Sequence, residues 1–195
     1  MNFLAHLYLS GSDPDVMTGN FIGDFVKGRS WGELYPMEVV RGIELHRSID
    51  AFTDSHAVVS QSKKRLFPIY RHYAGVIIDI YYDHFLARSW QDYHPDLLPD
   101  YAEQCYEILK SRPYALPDQV QFLLPHMMRG NWLVNYGTLE GIHRALSGMA
   151  RRASFVSKME ESIWDLEENY EAFKTEFNTF FPELKEHADA IRKQY

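Results

Sequence analysis

One cysteine, Cys105, stands among the 195 residues. It excludes an intrachain disulfide and any thiolate zinc knuckle, so a metal in this protein has to be held by His, Asp or Glu. Apolar runs never exceed a few residues, and the opening MNFLAHLYLS has no basic flank and contains a His. Neither a membrane span nor a secretory signal is therefore expected, and the chain reads as soluble and cytoplasmic. Basic charge is also scarce. Twenty Lys and Arg against 27 Asp and Glu give a formal net charge of -7, which argues against nucleic acid as a general partner. The Asn-Gly and Asp-Gly pairs of tight hairpins are missing, and alternating apolar and polar runs are hard to find. What is there is 46% hydrophobic and 15% aromatic residues, enough for one sizeable core and one domain over residues 1–195.

Helix signals recur along the chain, and the fold reads as an all-α, single-domain helical bundle. Asp13-Pro14 can cap and open a first helix running toward Lys27-Gly28, and Pro36 precedes a helix from Met37 to about Ser55. A shorter basic helix is expected over His56–Phe67, a long apolar one over Arg71–Trp90, and another over Pro95–Arg112 before a break at Pro113–Pro117. After two shorter pieces come helices over Thr138–Arg152 and Phe155–Phe181. The second is amphipathic through Met159, Ile163, Leu166, Tyr170, Phe173, Phe177 and Phe180, and Pro182 is expected to separate a terminal helix. Gly28-Arg29-Ser30-Trp31-Gly32 has the spacing of a nucleophile elbow but no strand before it, and is discounted.

Three polar clusters are embedded in apolar helices. Asp79, Asp83 and His84 lie in Gly75–Ala87, which is apolar on nearly every side. Either they bind a metal, or Asp83 pairs with an Arg and His84 with a backbone carbonyl. His46, Asp50 and Asp54 recur at four-residue spacing on one helix face, either as metal donors or as a solvated stripe. Asp24 follows the small residues Gly19 and Gly23, which open one helical face either to a ligand or to a second helix. His6, flanked by Phe3, Leu4, Leu7 and Leu9, is a hydrogen-bonded core histidine or a ligand. Together these His and Asp residues suit Mn²⁺, Mg²⁺ or Fe²⁺ better than structural zinc, and such a centre activates water and clamps a phosphoryl oxygen.

The segments Met1-Asn-Phe-Leu-Ala-His-Leu7, Gly19-Asn-Phe-Ile-Gly-Asp-Phe25, Gly42-Ile-Glu-Leu-His-Arg-Ser-Ile-Asp50, Thr53-Asp54 and Asp79-Ile-Tyr-Tyr-Asp-His-Phe-Leu86 carry a resemblance. The chain resembles the acyl carrier protein phosphodiesterases, with further matches at Trp132-Leu133, Gly148–Arg152 and Trp164–Pro182. The resemblance implies removal of 4'-phosphopantetheine from the serine of holo acyl carrier protein with Mn²⁺ or Mg²⁺. It also implies kinship to phosphohydrolases named for a His-Asp doublet, here inverted as Asp83-His84 in a rearranged order of segments. Carried onto this chain, it makes Asp24, His46, Asp83 and His84 the first metal ligands, with Asp50 and Asp79 completing the sphere or orienting its histidines.

The resemblance further implies that Asp24, Asp54 and His6 take part in catalysis, His6 as the acid that protonates the serine oxygen, while Arg47 and Arg152 neutralise the phosphodiester. Holo acyl carrier protein, acidic and helical, would dock on Lys63-Lys64-Arg65 or Arg151-Arg152. Two other readings stay open, a hydrolase of nucleotides or other small phosphate esters and a helical binding module without enzymatic activity.

Overall fold

The computed structural model describes residues 1–28 and 30–195; Arg29, within the Gly28–Gly32 stretch, lies outside the described residues. Every regular element among them is helical. In chain order these are α1 (Phe3–Leu9), α2 (Pro14–Ile22), α3 (Met37–Ser55), α4 (Ala57–Tyr70), α5 (Ala74–Arg88), α6 (Leu98–Lys110), α7 (Asp118–Arg129), α8 (Trp132–Asn135), α9 (Leu139–Arg152), α10 (Ser162–Glu168) and α11 (Tyr170–Arg192), joined by short 3₁₀ turns. None is long and apolar enough to cross a membrane.

The apolar α5 is the central member, with α1, α4, α9 and α11 packed around it. Its side chains from Ile77 to Ala87 are buried except for Asp79, which is partly exposed. Against it α11 lays Phe173, Phe177, Phe180, Phe181 and Leu184, each fully removed from solvent and each such burial stabilising by roughly 1.5–3 kcal/mol. On the other side, α2 crosses α3 at Gly19 and Gly42. A Cβ at either glycine would overlap the partner helix's backbone, so the two helices approach at main-chain contact. That crossing sets the distance between the N-terminal segment and His46 on α3.

Several boundaries depart from the sequence expectation. The first helix is α1, seven residues that begin ten residues before the capped Asp13-Pro14 start and have no side-chain cap of their own. The helix opened by Asp13 ends at Ile22 in a 3₁₀ turn, Gly23–Phe25. The expected Phe155–Phe181 helix is divided, with an irregular stretch before Met159 and an interruption at Asn169, although its apolar stripe is core as expected. Conversely, Pro182 does not end α11. Pro182 and Asn178, whose carbonyl it leaves without an N–H partner, are both exposed, so that carbonyl is open to water while the buried phenylalanines keep the residues on either side in one helix.

Candidate metal centre

His6 enters from α1, and His46 and Asp50 from successive turns of α3. Each offers one donor atom, and the three atoms lie within 4.8 Å of one another. His6 Nε2 is 3.3 Å from Asp50 Oδ1, and His46 Nε2 is 3.1 Å from Asp50 Oδ2. The two imidazoles stack, with ring centroids 4.0 Å apart. Gly23 makes room for this arrangement, because a Cβ there would overlap the His46 ring. Both histidines are buried, whereas Asp50 and Asp24 open onto a cleft of about 320 Å³. Met1, Asn2, Thr53, Asp54, Val76, Asp79 and Met149 complete its walls.

Behind the rings, the Nδ1 atoms are engaged by α2: His6 Nδ1 is 2.8 Å from Asn20 Oδ1, and His46 Nδ1 is 2.7 Å from the Asn20 carbonyl. On the cleft side, Asp24 Oδ1 reaches His46 Nε2 at 3.3 Å. His6 Nε2 is close to Asp50 yet has no properly directed hydrogen bond and remains a buried, unpartnered nitrogen.

The charges are strongly coupled. Burial pulls the His46 pKa down, but Asp24 and Asp50 outweigh it and lift the value to about 9. For Asp50, burial works against the charged form, and the neighbouring His46 and His6 overcome it, holding the carboxyl well below its usual range. Burial, then the charge of His46, lowers the pKa of His6. The Met1 α-amino group adds a second cation to the same wall, 3.1 Å from Asp79 and 3.7 Å from Asp50.

These donors fit a divalent cation. A buried, unpartnered ring nitrogen beside a carboxylate is a place a cation can fill, and two neutral imidazoles with one or two carboxylates form a borderline donor set. A larger cleft of about 460 Å³, between Arg88 and Pro99, gathers no comparable donor group among the described residues.

The other sequence candidates take different places. Asp79 faces the cleft but is engaged by the Met1 amino group. Asp54 stands at the cleft, ion-paired with Lys63 at 2.6 Å. Arg47 lies on the exposed side of α3 with its guanidinium 4.5 Å above the Trp31 ring. Asp83 and His84, expected among the first ligands, are not part of the His6, His46 and Asp50 group and have other partners. Both Asp83 oxygens accept main-chain N–H groups at the start of α1, from Leu4 at 2.8 Å and Ala5 at 3.2 Å. His84 spends both nitrogens, one on the Tyr136 carbonyl at 2.7 Å and one on the Tyr170 hydroxyl at 2.9 Å. With Nδ1 donating to the carbonyl, the one lone pair of His84, on Nε2, accepts from the Tyr170 hydroxyl, so a metal would have to displace Tyr170 to reach His84. Its carbonyl partner is the alternative its sequence setting left open; the partner of Asp83 is backbone rather than an Arg.

Arg65 is also committed elsewhere, in a two-pronged pair with the buried Glu176 at 2.8 and 2.9 Å. It cannot serve a docking partner without exposing that carboxylate. Asn20 was not singled out from the sequence, although an amide in the mostly apolar Val16–Ile22 run is the signal that marks it.

A family profile described as acyl carrier protein phosphodiesterase matches residues 1–184. The relatives named acyl carrier protein phosphodiesterase include one from Photorhabdus laumondii subsp. laumondii, 36% identical over 190 residues, covering 97% of this chain and 96% of the relative. Another, from Yersinia pestis, is 35% identical over 190 residues, covering 96% and 97%. A third, from Klebsiella pneumoniae subsp. pneumoniae, is 36% identical over 189 residues, covering 94% and 95%. No solved structure matches the chain significantly. The chain belongs to the acyl carrier protein phosphodiesterase family.

Proposed function

We propose that this protein is a metal-dependent phosphodiesterase that releases 4'-phosphopantetheine from the serine of holo acyl carrier protein, leaving the apo carrier. The family membership supports the reaction class and the carrier as substrate. The observation that carries the metal dependence is the buried, unpartnered His6 Nε2 beside His46 and Asp50. His6, His46 and Asp50 would hold the ion, with Asp24 as the exposed fourth donor. Two nitrogen donors favour Mn²⁺ or Fe²⁺ over Mg²⁺, which prefers an all-oxygen shell. When bound, the ion supplies an acidified water and offsets negative charge on the phosphoryl oxygens.

The chain's own residues supply the rest. By holding the ion, His46 and Asp50 would set where a phosphoryl oxygen meets it, and His6, in this reading a donor to the ion, is not the acid for the leaving serine. Arg47, stacked on Trp31 on the exposed side of α3, would leave that stack for its fork to meet a phosphoryl oxygen in the cleft. Asp54 holds Lys63 at the cleft, where the ammonium can donate a proton or a hydrogen bond to the leaving oxygen. Arg151 and Arg152 are exposed at the end of α9, the helix whose Met149 lines the cleft. They, with the exposed Lys64, are the basic groups left for an acidic carrier once Arg65 is removed from consideration.

Hydrolysis of holo carrier protein in heavy-oxygen water tests this reading. The label is expected in released phosphopantetheine and not in the protein. Phosphoserine on the carrier would contradict the bond assignment, and turnover of small nucleotides without any action on the carrier would replace the substrate class.

A further inference from the structure

Asn20 is fully buried on α2, behind the two histidines. Its side-chain Nδ2 donates to the His6 carbonyl at 2.7 Å and to Ser10 Oγ at 2.9 Å. A carbonyl oxygen only accepts, and the Ser10 hydroxyl already gives its proton to the same His6 carbonyl at 2.7 Å. These bonds fix which end of the amide is nitrogen. Oδ1 must therefore face His6 Nδ1, 2.8 Å away, as an acceptor, and the ring proton of neutral His6 sits on Nδ1. The main-chain oxygen of the same residue is 2.7 Å from His46 Nδ1 and imposes the same tautomer there.

We propose that Asn20 is the positioning residue of the centre, fixing both histidines with Nδ1 protonated so that both Nε2 lone pairs face Asp50. The inference rests on the metal reading above for its consequence, the binding of an ion, but not for the tautomers themselves. It assigns the two histidines to different parts of one residue: His6 to the amide side chain and His46 to the backbone. That division makes the role separable from general damage, because a substitution at position 20 removes the partner of His6 and keeps the partner of His46.

The test is long-range proton–nitrogen NMR correlation of the histidine ring C–H groups in metal-free protein at about pH 10, where neutral imidazoles can be read, together with Mn²⁺ titration. In the wild type both rings are expected as Nδ1–H tautomers. In Asn20→Ala, His6 should become a tautomer mixture, His46 should stay Nδ1–H, and the Mn²⁺ dissociation constant should rise about 10–100-fold. Asn20→Asp, which keeps the acceptor, should keep His6 as Nδ1–H and bind Mn²⁺ more tightly than Asn20→Ala does. His6 as Nε2–H in the wild type overturns the proposal whether or not a variant folds. So does Asn20→Ala with unchanged Mn²⁺ affinity, or Asn20→Asp no better than Asn20→Ala. A wild type with both Nδ1–H tautomers that binds no Mn²⁺ contradicts the metal reading and leaves the tautomer assignment standing.

Discussion

Position 23 tolerates no side chain. The space a Cβ would take is filled by the His46 ring, and the ring cannot retreat because its Nδ1 is tied to the Asn20 carbonyl and its other face is stacked on His6. Gly23→Ala should therefore push His46 off Asp50, weakening Mn²⁺ binding at least tenfold by misorienting a ligand while costing about 1–3 kcal/mol in overpacking. Mn²⁺ titration and a denaturant melt measure the two effects. Unchanged affinity would show that the ring has room to move. The spacing of His46, Asp50 and Asp54 made a shared face legible in the sequence, and Gly23 was legible as an opening on a helical face. That the opening is filled by an imidazole from another helix depends on the α2–α3 crossing, which no local pattern encodes.

At the scale of elements, α1 is the part that needs outside help. Seven residues without a side-chain cap make a marginal helix, and the Asp83 carboxylate on α5 caps it from across the core. Asp83→Asn replaces one acceptor oxygen by an N–H donor that faces a second N–H. It is expected to cost about 2 kcal/mol, the range for a buried backbone donor left unsatisfied, and to weaken Mn²⁺ binding in the folded fraction without abolishing it, since the uncapped α1 carries His6 while His46 and Asp50 belong to α3. Urea unfolding with metal analysis of the folded protein decides this; loss of all metal from a folded Asp83→Asn protein would return Asp83 to the ligands. Local sequence reading found the helix that Asp13 caps and missed the one that Asp83 caps, because the second cap comes from 79 positions away. The same limit misplaced the ends of the α11 region. Pro182 is a sound local stop signal, but tertiary burial of the neighbouring phenylalanines overrides it.

For the whole molecule, the buried charges predict how stability responds to pH when no metal is present. Asp83 is raised by burial from 3.8 to about 7, the N–H groups of Leu4 and Ala5 only partly opposing the shift. It therefore favours the folded state most below pH 4 and loses that contribution as pH rises to 7. His46, raised from 6.5 to about 9, contributes fully below pH 6.5 and loses its contribution as pH rises through 9. Below pH 6.5 the lowered pKa values of His6 and His84 act in the opposite sense to Asp83, so the melting temperature in chelator is expected to fall across the upper window, and Asp50→Asn should shrink that fall because it removes a carboxylate that sustains the His46 charge. Thermal melts at stepped pH measure this; an unaltered upper window in the variant would contradict the coupling. The same network is the core of the proposed activity, so its decisive test separates it from the Asp83-His84 doublet. Holo acyl carrier protein is incubated with Mn²⁺ and either wild type, Asp50→Asn or His84→Gln, each confirmed folded, and its intact mass is followed. Loss of the phosphopantetheine mass is expected with wild type and His84→Gln and none with Asp50→Asn. Full activity in Asp50→Asn together with an inactive His84→Gln would contradict the proposed metal centre.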